Sequence, residues 1–141
     1  MIRRMDNSDL HKVMDIWLKC NISAHSFVDR SYWEDNFEMV TELIPKAEIW
    51  IYEEGKNILG FVGIIEKGYI AGIFVMNGFQ GRGIGKALLN KCKELYPELS
   101  LSVFCKNAQA LDFYISQDFT IIAEEVNEDT HEREFIMKWQ K

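Results

Sequence analysis

Apolar and polar positions along the chain follow two different periods, and the changes from one period to the other separate the predicted helices from the predicted strands. Over residues 8–20 the apolar positions recur at helical spacing, and Asn7 or Ser8 is expected to cap that helix. The sequence Ser-Tyr-Trp-Glu, which begins at Ser31, has the form of a capping box and predicts a second helix that ends before Pro45. The pattern therefore places two helices in the first third of the chain.

Alternation with a period of two is typical of strands, and it dominates the middle of the chain. The stretches AEIWIYEE (47–54), ILGFVGIIE (58–66) and YIAGIFV (69–75) predict three strands joined by tight turns. A helix over 83–96 follows, and Pro97 is expected to end it. Because the three strands follow one another with such short connections, they are expected to pair as an antiparallel sheet.

The two ends of the chain supply the remaining elements. MIRRM (1–5) predicts a short first strand, LSLSVF (99–104) a further one, and DFTIIAEE with REFIMKW a closing hairpin. Between them, Asn107 is a good N-cap for a short helix. The order β-α-α-β-β-β-α-β-α-β-β predicts an α/β (α+β) fold in one domain over 1–141, with a mixed, mostly antiparallel sheet flanked by helices and at least one parallel crossover.

Composition and charge narrow the classes of partner. The chain has 141 residues, of which 48% are apolar and 27% charged, as in globular domains, and its formal net charge is −6. That charge argues against nucleic-acid binding and suits an amine-bearing partner. No apolar run approaches the roughly 18 residues of a membrane span, so no membrane partner is expected. The three cysteines lack C-x-x-C spacing, which favours a reducing cytoplasm and predicts neither a disulfide framework nor a metal site.

The segment FQGRGIGKALL (79–89) places three glycines at alternate positions directly before a helix. It fits neither common phosphate-binding motif. The P-loop needs a glycine where Gln80 stands and a hydroxyl where Ala87 stands, and the dinucleotide-binding pattern lacks its third small residue. Two interpretations stay open at this point. The segment is either a mobile turn or a cradle of unpaired backbone N–H groups for an anion, with Arg82 and Lys86 adding positive charge.

The residues around this segment resemble a known family. IFVMNGFQGRGIGKALL (73–89) resembles the central motif Q/R-x-x-G-x-G/A of the GCN5-related N-acetyltransferase family, and NAQALDFYISQDF (107–119) is similar to its second signature, an Asn-capped helix with a tyrosine seven residues on. The predicted element order also matches, so the resemblance covers essentially the whole chain. It implies transfer of the acetyl group of acetyl-CoA to a primary amine, by direct attack in a ternary complex and without a metal.

The resemblance also assigns the site that binds acetyl-CoA. It implies that the backbone of Ile73, Phe74 and Val75 pairs with the pantetheine arm as if with another strand. Asn107 would hold the pantetheine amides, and Tyr114 would give a proton to the departing thiolate. The pyrophosphate would be bound by the N–H groups of the glycine-rich loop, which are those of Gln80, Gly81, Arg82, Gly83, Ile84, Gly85 and Lys86.

The acceptor side is defined more loosely. HSF (25–27) and YW (32–33) are similar to small bacterial members of the family, which favours a protein lysine or N-terminal amine over a small amine. An acceptor pocket between the first two helices would be lined by aromatic residues, but these residues would equally suit a loop packed by aromatics. The four candidates are His25, Phe27, Tyr32 and Trp33.

One departure from the family pattern bears directly on the chemistry. Ser102 stands on the predicted fifth strand, where many members carry a glutamate that deprotonates the acceptor. The base is therefore open between a water chain, Glu66, His25 and His131. Because a serine cannot act as the base alone, Ser102 also motivates a second hypothesis, that of a CoA-binding regulatory module with little or no transferase activity. A homodimer is possible under either hypothesis.

Three further positions carry expectations that the structure tests. Asp118 replaces a frequent glycine and is expected to adopt a left-handed backbone conformation at some cost. Cys105 is expected to be a buried, small apolar residue rather than an acyl-carrying nucleophile, since nothing in its sequence context lowers the thiol pKa. The acidic segment EEVNEDTHERE (124–134) is expected to be a solvated hairpin, and the alternative is that its carboxylates attract a cationic acceptor.

Overall fold

The computed structural model describes residues 1–141, which form four α-helices packed on one seven-stranded sheet. The helices are α1 (Leu10–Ala24), α2 (Arg30–Leu43), α3 (Ile84–Leu95) and α4 (Ala108–Ser116). The strands are β1 (Ile2–Arg4), β2 (Glu48–Glu54), β3 (Asn57–Ile65), β4 (Tyr69–Val75), β5 (Glu98–Phe104), β6 (Thr120–Val126) and β7 (Arg133–Gln140). The predicted order of helices and strands is confirmed. Two short 3₁₀ helices, Asn7–Asp9 and Ile44–Lys46, were not predicted.

The sheet opens in its middle. Its strand order is β1-β2-β3-β4-β5-β7-β6, and every neighbouring pair is antiparallel except β4 and β5. These two parallel strands pair only through Tyr69 with Ser100 and Ile70 with Leu101. Beyond those pairs the strands separate, which leaves an opening at the carboxyl ends of β4 and β5. The expected mixed, mostly antiparallel sheet with a parallel crossover is confirmed.

Two apolar clusters hold the helices on opposite faces of the sheet. On one face α3 and α4 pack on the sheet through residues that are almost fully buried, among them Leu88, Leu89, Cys92, Tyr114, Val62 and Leu101. On the other face α1 and α2 pack through a second set, among them Val13, Met14, Ile16, Trp33, Ile51 and Phe61. The central strands of the sheet are thus covered on both faces, and the opening between β4 and β5 lies between the two layers of helices.

The predicted helix caps were partly wrong. The Asp29 carboxylate accepts from the N–H of Ser31 at 3.1 Å, so α2 begins two residues earlier than the Ser31 capping box predicted. Neither Asn7 nor Ser8 caps α1, because the chain first makes a 3₁₀ turn and Asp9 takes the N-cap position. Asp29 therefore makes the capping bond of α2, whereas Asp9 has helical dihedral angles and makes no side-chain capping bond to α1.

Three other features bear on the expectations. Asp118 has φ 73°, so the predicted left-handed conformation is confirmed. No helix has the length and apolarity needed to cross a bilayer. The outer strand β6 exposes Ile121, Ile122 and Val126 at the edge of the sheet. The homodimer stays a prediction.

Candidate active site

A cavity of about 640 Å³ fills the opening between β4 and β5. All the site residues predicted from the sequence line it except Arg82 and Phe27. The guanidinium of Arg82 lies over the ring of Phe79, 5.0 Å from its centre. Phe27 packs edge-on against His25 and Phe104 behind the cavity wall. The structure therefore brings the predicted cofactor, acceptor and catalytic residues to one place.

The last residues of β4 present alternate backbone groups to this cavity. The N–H of Met76 donates to the carbonyl of Leu59 on β3, and Val75 lies opposite Gly60. In an antiparallel pair the hydrogen-bonding direction alternates along the strand. Ile73 and Val75 therefore turn their N–H and C=O groups towards the opening, whereas the backbone of Phe74 is directed to β3.

The Val75 carbonyl already has two donors. The thiol of Cys20, on α1, donates to it at 3.2 Å, and the side-chain amide of Gln80 donates to it at the same distance. Burial raises the pKa of the Cys20 thiol to about 11, so it stays protonated and remains a donor. These bonds position the end of β4 beside α1 and leave the N–H of Val75 as the group available to a ligand. Cys20 was not predicted as a site residue.

The glycine-rich loop presents an unbroken run of free N–H groups. None of the backbone N–H groups from Gln80 to Lys86 donates to the chain, and the first bonded one belongs to Ala87, which donates to the carbonyl of Gly83 at 2.9 Å. Gly81 and Gly83 have φ of +80° and +82°, a conformation that side chains other than glycine's adopt only with strain. These groups lie at the positive end of α3. The geometry favours the anion cradle over the mobile turn.

Tyr114 lies on α4 and is almost fully buried, at 8% exposure, beside the cavity. Burial raises the pKa of its hydroxyl well above the ordinary value, and the nearby Cys92 and Tyr69 add to this effect. Tyr69 in turn donates to Ser102 Oγ at 3.0 Å. Ser102 is therefore part of a hydroxyl pair with Tyr69, and Tyr114 keeps its proton throughout the neutral range.

Asn107 joins the cofactor side of the cavity to the acceptor side. Its Oδ1 accepts from the N–H of Ala110 at 3.2 Å, which confirms the predicted N-cap of α4. Its Nδ2 donates to Nε2 of His25 at 3.1 Å, so the proton of the neutral imidazole sits on Nδ1. The imidazole stacks on Trp33 with ring centres 5.3 Å apart, and burial lowers the His25 pKa to about 4. His25 is therefore neutral at pH 7.

The sequence suggested acidic residues of 124–134 near a cationic acceptor without singling out one of them, and the structure places Glu134 and Asp129 at the acceptor end. Glu134, at the start of β7, lines the cavity, and its Oε1 accepts from Nδ2 of Asn127 at 3.3 Å. The hydroxyl of Tyr32 donates to Asp129 at 3.5 Å, which brings α2 against the turn between β6 and β7. The expectation that 124–134 is a solvated hairpin is wrong for Asn127 and Glu134, because the turn folds over the opening.

The structure separates the base candidates proposed from the sequence. Glu66 lies in the turn between β3 and β4, next to a groove formed with Tyr96 and Glu98, and it does not line the cavity. His131 lies in the turn between β6 and β7, also outside the cavity lining. Only His25 among the three named side chains reaches the cavity. No group of three or more His, Cys, Asp or Glu side chains is arranged to hold a metal ion.

Cys105 was expected to be buried and is instead half-buried. Its Sγ lies 3.8 Å from Oε1 of Glu124 on β6, because Cys105 follows the last residue of β5 and leaves the core there. Burial and the Glu124 carboxylate raise the pKa of the Cys105 thiol. The residue does not line the cavity. An acyl-carrying role has no support at this position.

A parallel strand pair that opens onto the free N–H groups of a helix N-terminus, with a buried tyrosine beside it, is the arrangement expected of an acyl-CoA-dependent acyltransferase. The comparison with protein families gives the particular class. Residues 23–140 match the family model described as the acetyltransferase (GNAT) domain. The chain belongs to the GCN5-related N-acetyltransferase family and is an acyl-CoA-dependent N-acetyltransferase.

Individual proteins support this assignment. The chain is 35% identical over 140 residues to the peptidyl-lysine N-acetyltransferase YiaC of Escherichia coli K12, an alignment that covers 99% of this chain and 96% of that protein. The solution structure of the apo form of YjaB from Escherichia coli superposes with a TM-score of 0.87 at 22% identity, covering 99% of this chain and 96% of that one. The structure of yncA, a putative acetyltransferase from Salmonella typhimurium solved with its cofactor acetyl-CoA, superposes with a TM-score of 0.69 at 17% identity, covering 99% and 92%. The family resemblance and the fold class are confirmed.

Proposed function

We propose that this enzyme transfers the acetyl group of acetyl-CoA to a primary amine of a protein, either a lysine side chain or an N-terminal amine, by direct attack in a ternary complex. The observation that carries the proposal is that one cavity holds the free N–H groups of Gln80 to Lys86, the open end of β4 and the buried Tyr114. Similarity to a peptidyl-lysine N-acetyltransferase along almost the whole chain supports a protein acceptor. A small amine is the alternative acceptor.

The cavity suits the three parts of acetyl-CoA. The pyrophosphate would accept hydrogen bonds from the loop N–H groups at the start of α3, with Lys86 at the cavity wall adding positive charge. The pantetheine arm would lie along Ile73 and Val75, whose backbone groups are directed to the opening. Asn107 uses one hydrogen of Nδ2 for His25, and the second is available for a pantetheine carbonyl.

The reacting atoms would meet at the end of β4. The N–H of Val75 would polarise the thioester carbonyl, and the amine would attack the carbonyl carbon as the carbon–sulfur bond breaks. Tyr114 would supply the proton that the sulfur takes. A thiol has an ordinary pKa of about 8.5 and a phenol of about 10, and the same buried surroundings that raise the pKa of Tyr114 also raise that of a thiol formed beside it. The pKa values of Tyr114 and of the thiol would therefore both rise, which keeps proton transfer from Tyr114 to the sulfur feasible.

The test is thiol release from acetyl-CoA over a pH series, with a panel of lysine peptides, peptides with free N-termini, polyamines and antibiotic amines. Release that requires a peptide amine would support the proposal, and release with polyamines or antibiotics alone would replace the protein acceptor by a small one. The second hypothesis, a CoA-binding regulatory module, is motivated by Ser102. It predicts CoA binding by calorimetry with no thiol release from any amine, including at pH 9–10, where the free amine no longer needs a base.

A further inference from the structure

We propose that Glu134 binds the ammonium group of the acceptor and takes its proton, so that β7 supplies the carboxylate that β5 lacks at Ser102. This inference rests on the proposed function. It assigns the step that the sequence left open, and it places the base at Glu134, which was not among the four base candidates taken from the sequence.

The register of β5 and β7 puts the carboxylate on the required face of the sheet. Phe104 lies opposite Glu134, and Ser102 lies opposite Ile136. Side chains opposite one another in an antiparallel pair share a face, and so do residues two apart on one strand. Glu134 is therefore a diagonal neighbour of Ser102 on the same face, and such neighbours lie roughly 7–8 Å apart, with their Cβ atoms somewhat closer. A glutamate side chain is long enough to bring its carboxylate into the space next to Ser102.

The contacts of Glu134 leave room for a cation. Its Oε1 accepts from Asn127, and Oε2 has no donor within the chain. Two nearby acidic side chains have cationic partners, since Glu124 pairs with Arg133 at 3.0 Å and Glu132 pairs with Lys106 at 3.2 Å. No lysine or arginine pairs with Glu134, although it is half-buried. A partly buried carboxylate without a cation is costly unless a ligand supplies the charge.

No positively charged group faces Glu134. Glu125 on β6 lies directly opposite it, Phe104 covers it from β5, and Tyr32 approaches from α2. Burial raises the pKa of the Glu134 carboxyl above its ordinary value, and Glu125 adds to this, whereas the bond from Asn127 opposes it. A carboxylate with a raised pKa is a stronger base, and it titrates closer to neutral pH.

The step balances without any further reactant. The ammonium gives one proton to the Glu134 carboxylate, and the free amine then forms the carbon–nitrogen bond while the carbon–sulfur bond breaks. The sulfur takes the proton of Tyr114, and the nitrogen loses a second proton, which restores Tyr114. One proton remains on the amide nitrogen, and the proton held by Glu134 passes to solvent. The overall change is ammonium plus thioester to amide, thiol and one proton.

The other polar groups at the cavity serve this step less well. Nε2 of His25 accepts from Asn107, and its low pKa means that the buried imidazole is a weak base. Ser102 Oγ accepts from Tyr69, and an alkyl hydroxyl is not basic at neutral pH. Glu134 is the carboxylate in the cavity lining, since no other aspartate or glutamate lines it.

The test compares Glu134→Gln with wild type in kcat/KM for a peptide that has one free lysine and a blocked N-terminus, from pH 6 to 10. The matched control is Glu132→Gln, which changes the same hairpin outside the cavity. We expect Glu134→Gln to lower kcat/KM by roughly 100-fold at pH 7, as for loss of a general base, and the loss to shrink towards pH 10 as free amine becomes available. Glu134→Asp should keep part of the activity, and unchanged CoA affinity by calorimetry would show that each variant is folded.

Two outcomes would overturn this inference alone. The first is wild-type activity in Glu134→Gln, and the second is a loss of equal size at every pH, which a structural role would produce. Absence of thiol release by the wild type with every amine would overturn both this inference and the proposed function. The two failures are therefore distinguishable.

Discussion

The side-chain amide of Asn107 donates to Nε2 of His25 over 3.1 Å, which joins the N-cap of α4 to the residue that ends α1. The two elements lie on opposite faces of the sheet, and this bond crosses the opening between β4 and β5. It needs a histidine whose Nε2 carries no proton. Protonation of His25 therefore breaks the bond and places a charge among aromatic rings.

The stability of the protein should fall as the pH drops below about 6.5. In the unfolded chain a histidine titrates near pH 6.5, whereas in the folded protein the pKa of His25 is lowered to about 4. Between these values the unfolded state binds more protons, so folding is favoured above pH 6.5 and the contribution, at most about 3 kcal/mol, is lost as the pH approaches 4. Urea unfolding at pH 7, 6 and 5 measures this.

The variant His25→Gln isolates the effect, because it removes the titration while keeping an acceptor for Asn107. The difference between wild type and variant should shrink with falling pH. Glu134, whose pKa is raised, has the opposite dependence in the same window and is present in both proteins. His11→Gln is the control on the exposed face of α1. A pH dependence that persists in His25→Gln would contradict the assignment.

Tyr114→Phe should lower kcat by roughly 10²- to 10⁴-fold, the usual contribution of a general acid, and leave the Kd for CoA nearly unchanged. The ring stays in the apolar cluster, and burial rather than a hydrogen bond determines the Tyr114 pKa, so the fold should tolerate the change. Thiol release gives kcat, and calorimetry gives Kd. Tyr52→Phe, on β2 and outside the cavity, is the control and should be active. If Tyr114→Phe turned over as fast as Tyr52→Phe, Tyr114 would not be the general acid.

Gly83→Ala should weaken CoA binding, with at least a tenfold rise in Kd if its N–H geometry holds the pyrophosphate. Its φ of +82° makes an alanine strained by about 1–2 kcal/mol, although nothing lies within 4 Å of the added Cβ. Gly55→Ala is a matched control, since Gly55 has φ +60° and equally open space but lies in the turn between β2 and β3. Both variants should lose similar stability in urea unfolding. If both also bound CoA like the wild type, the anion cradle would lose its support.

Leu88→Ala should destabilise the protein by about 2–5 kcal/mol, because the side chain is fully buried under α3 and its loss leaves a cavity. Leu95→Ala removes the same atoms from the same helix at a position that is 42% exposed, and it should change the unfolding free energy by less than about 1 kcal/mol. Denaturant unfolding measures both. Similar losses at the two positions would mean that α3 does not pack on the sheet as described.

The sequence pattern predicted the fold well because each helix and strand is determined largely by residues close to it in the sequence. Pro97 ends α3, Asn107 caps α4, and Asp118 takes the left-handed conformation, all through interactions within a few residues. The caps of α1 and α2 were misplaced for different reasons. Several nearby residues can cap α2, and Asp29 makes that bond, whereas the start of α1 is set by the 3₁₀ turn Asn7–Asp9 that precedes it.

The site was only partly predictable from the sequence. Residues within contiguous motifs were found, and residues brought together by long-range contacts were not. The glycine-rich loop and Tyr114 fall within two contiguous motifs, so the resemblance found them. The sequence indicated the carboxylates of 124–134 only as a group, because the place of Glu134 beside Ser102 depends on the register between residues 32 positions apart. Cys20 likewise reaches Val75 only through the packing of α1 on the sheet. Long-range pairing is needed to see either residue.

The limited pairing of β4 with β5 has a consequence for local opening motions of the free enzyme. Because β4 and β5 pair only through Tyr69 and Ile70, the sheet consists of two hydrogen-bonded parts. One part contains β1 to β4, the other contains β5, β7 and β6, and the two are joined only at the start of β4. Amide protons along the open edges lack strand partners and should exchange with solvent faster than those inside either ladder. Any molecule that bridges the edges acts as a missing strand and adds stability by mass action, about 2.7 kcal/mol at 100 times its Kd. The thermal midpoint of the protein should therefore rise when a molecule binds between β4 and β5.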